Sequence, residues 1–379
     1  MQPGPPTVEV CYTSQPMSGE EPQDLQPPLE EAWRVPLGND SSQVTPAVME
    51  DRVFLPVRSL EGSYRDVPGV LEVDIETGSV LRTHPTGKIP HPWIQVRDSH
   101  VYFSASSVEA PAKNRVASLD PRTGDIRNLA SRAASFDPIV DGPRIILFSR
   151  SKSVIAVDRE SVERVWTAAT IEQIQQTGTL EGNALYVAAS GTLYVLDPET
   201  GETLWAIPRP SPHTPDFSGP PVIGNGFVFY GRRHEEAPAL VAVDIGSREV
   251  AWSLESRWSL NPVAVAGDRL YVTDAAATMR VYRIGDWELL GSVDFRSLQP
   301  GIFHLRHPPL VLQDQLLVHD DSHGHLWILS RDDGRVLWHR ELKRSLCHPP
   351  VVHRGRVIFK SHQFLHAFKD SSSRSRDRW

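Results

Sequence analysis

Short apolar runs, several of them strictly alternating, recur along this chain between clusters of Asp, Pro, Ser, Thr and Gly. Runs of this kind are the period-two signature of β-strands, and the clusters between them are turn chemistry. The clearest unit is Leu193-Tyr-Val-Leu-Asp-Pro-Glu-Thr-Gly-Glu-Thr-Leu-Trp205. An apolar strand enters a turn at Asp197, and a second strand leaves it carrying Trp205. Pro198 presets φ for a central turn position, and Gly201 supplies the positive φ that closes the hairpin.

The same phrase returns at 71–81, 116–126, 154–166 and 240–252. Weaker copies lie at 279–287 and 326–338, with a half-copy at 364–369. The turn-opening residues are Asp74, Asp120, Asp158, Asp197, Asp244, Arg283, Ser330 and Lys369, separated by 38 to 47 residues. Each phrase follows two more apolar runs, as in Pro46-Ala-Val-Met then Arg52-Val-Phe-Leu-Pro-Val. Four strands repeated about every 40 residues predict an all-β fold, an eight-bladed β-propeller of four-stranded antiparallel blades. The strands of each blade are lettered A to D in chain order.

The eighth blade lacks its own strand D, because 370–379 reads Asp-Ser-Ser-Ser-Arg-Ser-Arg-Asp-Arg-Trp. A spare strand, Glu31-Ala-Trp-Arg-Val-Pro-Leu37, precedes blade one, and its Trp33 matches Trp166, Trp205, Trp252 and Trp338. The chain is therefore expected to close the last blade with this N-terminal strand, since an open edge leaves a row of unpaired amides. The expected division is a disordered Pro-rich tail at 1–28, the propeller at 29–369 and a disordered basic tail at 370–379. The strand-D tryptophans are expected to lie flat between neighbouring blades. Arg82, Asn128 and Gly291 take that position in blades one, two and six, which predicts looser junctions there.

The phrase resembles the repeat of the quinoprotein (pyrroloquinoline-quinone, PQQ) alcohol dehydrogenases and of their non-catalytic relatives in bacterial outer-membrane assembly, over about residues 31–369. The resemblance implies a bacterial PQQ-like propeller. It carries no catalytic residue across, because the adjacent-cysteine pair, the acidic base and the metal ligands of the enzymes have no match. The lipoprotein signal of the assembly relatives has no match either.

Composition narrows the partners. The net charge is −8 and the pI about 6.0, which disfavours nucleic acid. No run of 18 apolar residues exists, so membrane insertion is not expected. The first residues lack the basic and apolar regions of a secretion signal. Cys11 and Cys347 are read as free thiols, consistent with a cytoplasmic protein.

Ten of the 15 histidines fall between 304 and 366. His307 and His348 precede prolines at equivalent repeat positions, and the B–C turn of blade seven reads His319-Asp-Asp-Ser-His-Gly-His325. His307, His348, His323 and Asp321 are the candidate metal ligands, for zinc. Loops at 58–69, 105–114 and 231–239, and the connector 208–221, are longer than ordinary turns, and they nominate Tyr64, Trp93, Arg232 and Arg233 as partner contacts. The expected function is a non-catalytic, monomeric scaffold that binds a protein partner through its loop face, with no cofactor. The alternative is a quinone- or metal-dependent enzyme, or a small-ligand sensor, with PQQ or zinc at the channel mouth.

Overall fold

The computed structural model describes residues 24–370 except 38–43, 58–67, 87–88, 108–109, 132–135, 150–151, 171, 175, 190–191, 208–218, 233–238, 257–262, 302–304, 306, 321–322, 343–345, 347 and 362. Eight four-stranded antiparallel sheets account for all its named strands. Blade one is Ala47–Met49, Arg52–Val57, Gly69–Asp74 and Val80–Pro85. Blade two is Ile89–Arg97, His100–Ser107, Ala110–Leu119 and Ile126–Ser131. Blade three is Ile139–Asp141, Arg144–Ser149, Ser153–Asp158 and Arg164–Ala169. Blade four is Thr179–Glu181, Ala184–Ala189, Thr192–Leu196 and Thr203–Ile207. Blade five is Val222–Gly224, Phe227–Arg232, Ala239–Asp244 and Val250–Glu255. Blade six is Ala264–Ala266, Arg269–Thr273, Thr278–Arg283 and Leu289–Asp294, followed by a single helical turn, Phe295–Leu298. Blade seven is Leu310–Val311, Gln315–His319, His325–Ser330 and Val336–Glu341. Blade eight is Val351–His353, Arg356–Lys360 and Phe364–Asp370, and its fourth strand is Leu29–Pro36. The fold is an eight-bladed β-propeller.

Leu29–Pro36 runs antiparallel to Phe364–Asp370, with Leu29 opposite Asp370 and Trp33 opposite Ala367. The strand is a residue or two longer at its start than its sequence pattern indicates. Ahead of it, Leu25 is fully buried and hydrogen-bonded to Gln315. Residues 24–28 therefore do not belong to a disordered tail; an apolar side chain with a socket and satisfied backbone groups overrides the polar composition around it. The long loop expected at 105–114 is also corrected, because strand B of blade two runs to Ser107 and strand C begins at Ala110.

By density of contacts, the described residues form two compact units. One holds Phe148–Ala156 and Arg164–Val311. Its cores lie between blades four and five, around Tyr186, Val228 and Val241, and between blades five and six, around Phe229, Leu240 and Leu270. The other holds Asp24–Leu147, Val157–Glu163 and Leu312–Asp370. Its core joins blades eight, one and two through Trp33, Phe54, Val73, Phe103 and Leu365.

The turn phrase folds alike in every blade that keeps its aspartate. The Asp74 carboxylate accepts the N–H groups of Glu76 and Thr77, and Asp158, Asp197 and Asp244 do the same for their turns. These main-chain donors hold Asp74, Asp158 and Asp244 below the ordinary carboxylate range. The fourth turn residue adopts positive φ throughout, whether Gly78, Gly124, Gly201 and Gly334 or, without glycine, Val162, Arg248 and Trp287.

Glycine there serves packing as well as conformation. A Cβ on Gly201 would lie 2.5 Å from the Trp166 ring, and one on Gly78 would lie 2.7 Å from Trp33. Each tryptophan lies flat over the turn of the following blade, and its indole N–H reaches that turn, Trp33 to Ile75 O at 2.9 Å and Trp166 to Pro198 O at 3.1 Å. Gly201→Ala is accordingly expected to destabilise the protein by about 3 kcal/mol, from the left-handed backbone and the displaced ring together. Gly142→Ala, with φ +49 and nothing within 4 Å of its Cβ, isolates the backbone part at about 1 kcal/mol. Equal losses in urea denaturation would show that the ring contact carries no weight. Val162→Gly should act the other way. Its β-branched side chain sits at φ 64, and releasing it is expected to stabilise by about 1 kcal/mol in the same assay.

Where glycine is absent, the tryptophan is met differently. Trp252 stacks on Trp287 with centroids 5.0 Å apart and planes 8° from parallel, and Arg248 lies over Trp205. The junctions of blades one and two, expected to be loose, are polar bridges instead. Arg82 donates to Pro121 O at 2.8 Å and Arg122 O at 3.1 Å, spanning from blade one to blade two. Arg127 reaches Glu160 O, and Arg159 pairs with Asp98 at 2.6 Å, spanning from blade two to blade three. A long guanidinium covers the turn that a tryptophan covers elsewhere.

Candidate functional site in blades seven and eight

The histidine-rich end of the chain gathers several buried polar groups, among them His319, Asp320, His325, Ser361 and His366. In the B–C turn of blade seven, the buried Asp320 carboxylate accepts the His323 N–H at 2.8 Å and faces His323 Nδ1 at 3.3 Å. Its own N–H donates to His325 O, and Gly324 at φ 77 lets the turn close. The repeat uses the same device in blade six, where buried Asp274 accepts from Ala276 and Thr278 N–H and from Arg280 at 2.8 Å. These aspartates are turn closures held by main-chain donors.

Beyond the turn, His325 Nδ1 and His339 Nε2 lie 3.0 Å apart across strands C and D. The ring centroids are 5.2 Å apart and the planes 20° from parallel, so the two nitrogens meet nearly end to end. That arrangement suits one shared proton. A metal ion would need the lone pairs to converge beside the line between them. Trp327 lies nearly parallel to both rings. Burial is the main cause holding both imidazoles below the ordinary histidine range, against the upward pull of Glu341.

In blade eight, Ser361 Oγ lies 2.9 Å from His366 Nε2, and His366 Nδ1 lies 3.6 Å from Glu31 Oε2. Serine, histidine and carboxylate follow here in the order used for nucleophilic catalysis. Ser361 is only 1% exposed, and its hydroxyl also faces Phe364 O at 3.3 Å, so a substrate carbonyl cannot approach it. The row instead brings Glu31 of the N-terminal strand beside His366 of the last strand. A further buried carboxylate, Glu72 in blade one, is spent on Arg52 at 2.5 Å and His84 at 2.9 Å.

The residues nominated from sequence are placed as follows. Asp321 lies outside the described residues. His307 belongs to one compact unit and His323 and His348 to the other. Among the described residues, no three of His, Cys, Asp or Glu gather to hold a metal ion. Tyr64 and Arg233, and both cysteines, lie outside the described residues; of Arg232 only the backbone, at the end of a strand, is described. Trp93 is corrected as a surface contact. It is 1% exposed, within strand A of blade two at the irregularity between Pro90 and Ile94, because a large aromatic gains more by burial in the sheet than in a loop.

Sequence reasoning missed the His325–His339 pair, whose members meet only once the C–D register is known. It also missed Asp137, the blade-three equivalent of Trp93, whose carboxyl is pushed by burial up to about 7. Its Asp-Pro context reads as an ordinary turn.

No helix among the described residues is long and apolar enough to cross a membrane. Residues 127–288 match the family model described as outer membrane protein assembly factor BamB. No curated protein matches the chain in sequence. Among solved structures, BamB from Moraxella catarrhalis is similar over 90% of this chain and 98% of its own, with a TM-score of 0.65 and 17% identity. The computationally designed Ika8 protein is similar over 90% and 99%, with a TM-score of 0.70 and 14% identity. The quinohemoprotein alcohol dehydrogenase of Comamonas testosteroni is similar over 90% and 76%, with a TM-score of 0.66 and 11% identity. At these identities the structures speak for the fold alone. The recurring Asp-to-Trp phrase and the match over 127–288 are similar to the PQQ-type repeat, and the solved structures show the fold to be a β-propeller.

Proposed function

We propose that the chain is a non-catalytic, monomeric cytoplasmic scaffold that holds a protein partner on the end of the blades where the B–C and D–A loops emerge. The match of residues 127–288 to an outer membrane protein assembly factor carries this reading. Tyr64, Arg232 and Arg233 are the loop contacts assigned to the partner.

The second reading is a quinone-dependent enzyme, favoured by the likeness to quinohemoprotein alcohol dehydrogenases. Photo-crosslinkers at positions 64 and 233 of the full chain, expressed in its source cells, separate the two. A discrete protein adduct is the expected result. A chain that yields no adduct but binds added PQQ and then oxidises an alcohol would overturn the scaffold reading.

A further inference from the structure

The first residue of strand B, opposite the end of strand A, is Arg52, His100, Arg144, Ala184, Phe227, Arg269, Gln315 and Arg356 in the eight blades. Only blade seven places an amide there. Gln315 Oε1 accepts the Leu25 N–H at 2.9 Å, and Nε2 donates to the Leu25 carbonyl at 2.8 Å. A neighbouring strand would pair with the same two groups. Beside it, the Asp314 N–H donates to the Asp24 carboxylate, with its oxygens at 2.9 and 3.2 Å. The Leu25 side chain is fully buried. An extended dipeptide is thus read at three points: its backbone by an amide, its acid by a main-chain N–H, and its apolar side chain by a socket.

We propose that this edge of blade seven is a docking site for an extended Asp-Leu segment of a partner protein, filled here in cis by Asp24–Leu25. The bound pair itself displays the chemistry that is recognised. Its hydrogen bonds go to two residues, Asp314 and Gln315, whereas the strand that follows is paired at seven positions along Leu29–Pro36. The pair can therefore leave without undoing the strand. While it stays, it competes as a tethered ligand at high effective concentration. The site lies at the A–B turn, at the opposite end of the sheet from the B–C loops, so it goes beyond the scaffold reading and does not depend on it.

The probe is a fluorescent peptide carrying residues 20–29, titrated by anisotropy into the full-length chain. Wild type is expected to bind weakly. Leu25→Ala, which empties the socket, should bind at least about tenfold more tightly. The gain should vanish in Leu25→Ala/Gln315→Ala, and with peptides in which Asp is Asn or Leu is Ala. Asp24→Ala, which leaves Leu25 in place, should gain about threefold and decides the matter if Leu25→Ala does not fold. Folded variants that bind no better than wild type would overturn the proposal. A wild-type dimer that dissociates on Leu25→Ala would also overturn it, by making a second copy the occupant. A failed crosslink from the loops leaves this titration unaffected.

Discussion

Trp33→Ala is expected to lower the folding stability by about 4 kcal/mol, measured as a shift of the urea midpoint at constant slope. The indole is buried between its own strand and the Gly78 turn, and glycine is there because any larger residue would overlap the ring. Truncation removes that packing and orphans the Ile75 carbonyl, which the indole N–H satisfies at 2.9 Å. It also loosens the strand that covers residues 364–370, whose backbone groups then face water. Trp33→Phe keeps most of the ring contact and loses the hydrogen bond, at a cost of about 1 kcal/mol. If alanine costs no more than phenylalanine, the wedge is not what holds the last blade.

The second large effect is on pH. Asp137 keeps part of its surface exposed while its carboxyl is enclosed, and burial moves that carboxyl from its ordinary value of 3.8 up to about 7. The folded state therefore holds this proton more tightly than the unfolded state does. The associated stability is fully present below pH 3.8. It is lost as pH rises towards about 7, by on the order of 4 kcal/mol in total. The turn carboxylates of Asp74, Asp158 and Asp244 work in the opposite direction. Their lowered pKa values make a contribution that is present above pH 3.8 and lost on further acidification. Thermal unfolding between pH 3 and 8 should show a maximum on the acid side of neutrality. Asp137→Asn should flatten the fall between pH 4 and 7 and leave the acid limb unchanged. A variant with the wild-type slope would show that another group carries it.

The sequence laid the frame open because its decisive interactions are local. Asp197 and Gly201 lie four residues apart and write the same turn wherever they recur, so a period could be counted even through Arg283 and Ser330. The role of Trp33 was legible for the same reason, since its offset matched that of other strand-D tryptophans. What stayed hidden depends on register or on distant partners. His325 and His339 face one another only through the C–D pairing. Glu31 and His366 are separated by almost the whole chain. Leu25 stands among prolines and glutamines, and the side chain that satisfies its backbone groups, Gln315, comes from blade seven. Trp93 and Arg82 misled because side-chain size or charge was read without the neighbour that receives it.

A ribosome makes Leu29–Pro36 among the first strands of this chain, yet its partner, Phe364–Asp370, is among the last segments to emerge. The earliest strand is thus the last to find its place. It must wait through the synthesis of seven blades with its amide groups uncommitted, and Trp33 cannot seat before the terminal segment arrives. Among the described residues this is the strand pairing of greatest separation along the sequence, and it is expected to form late in folding.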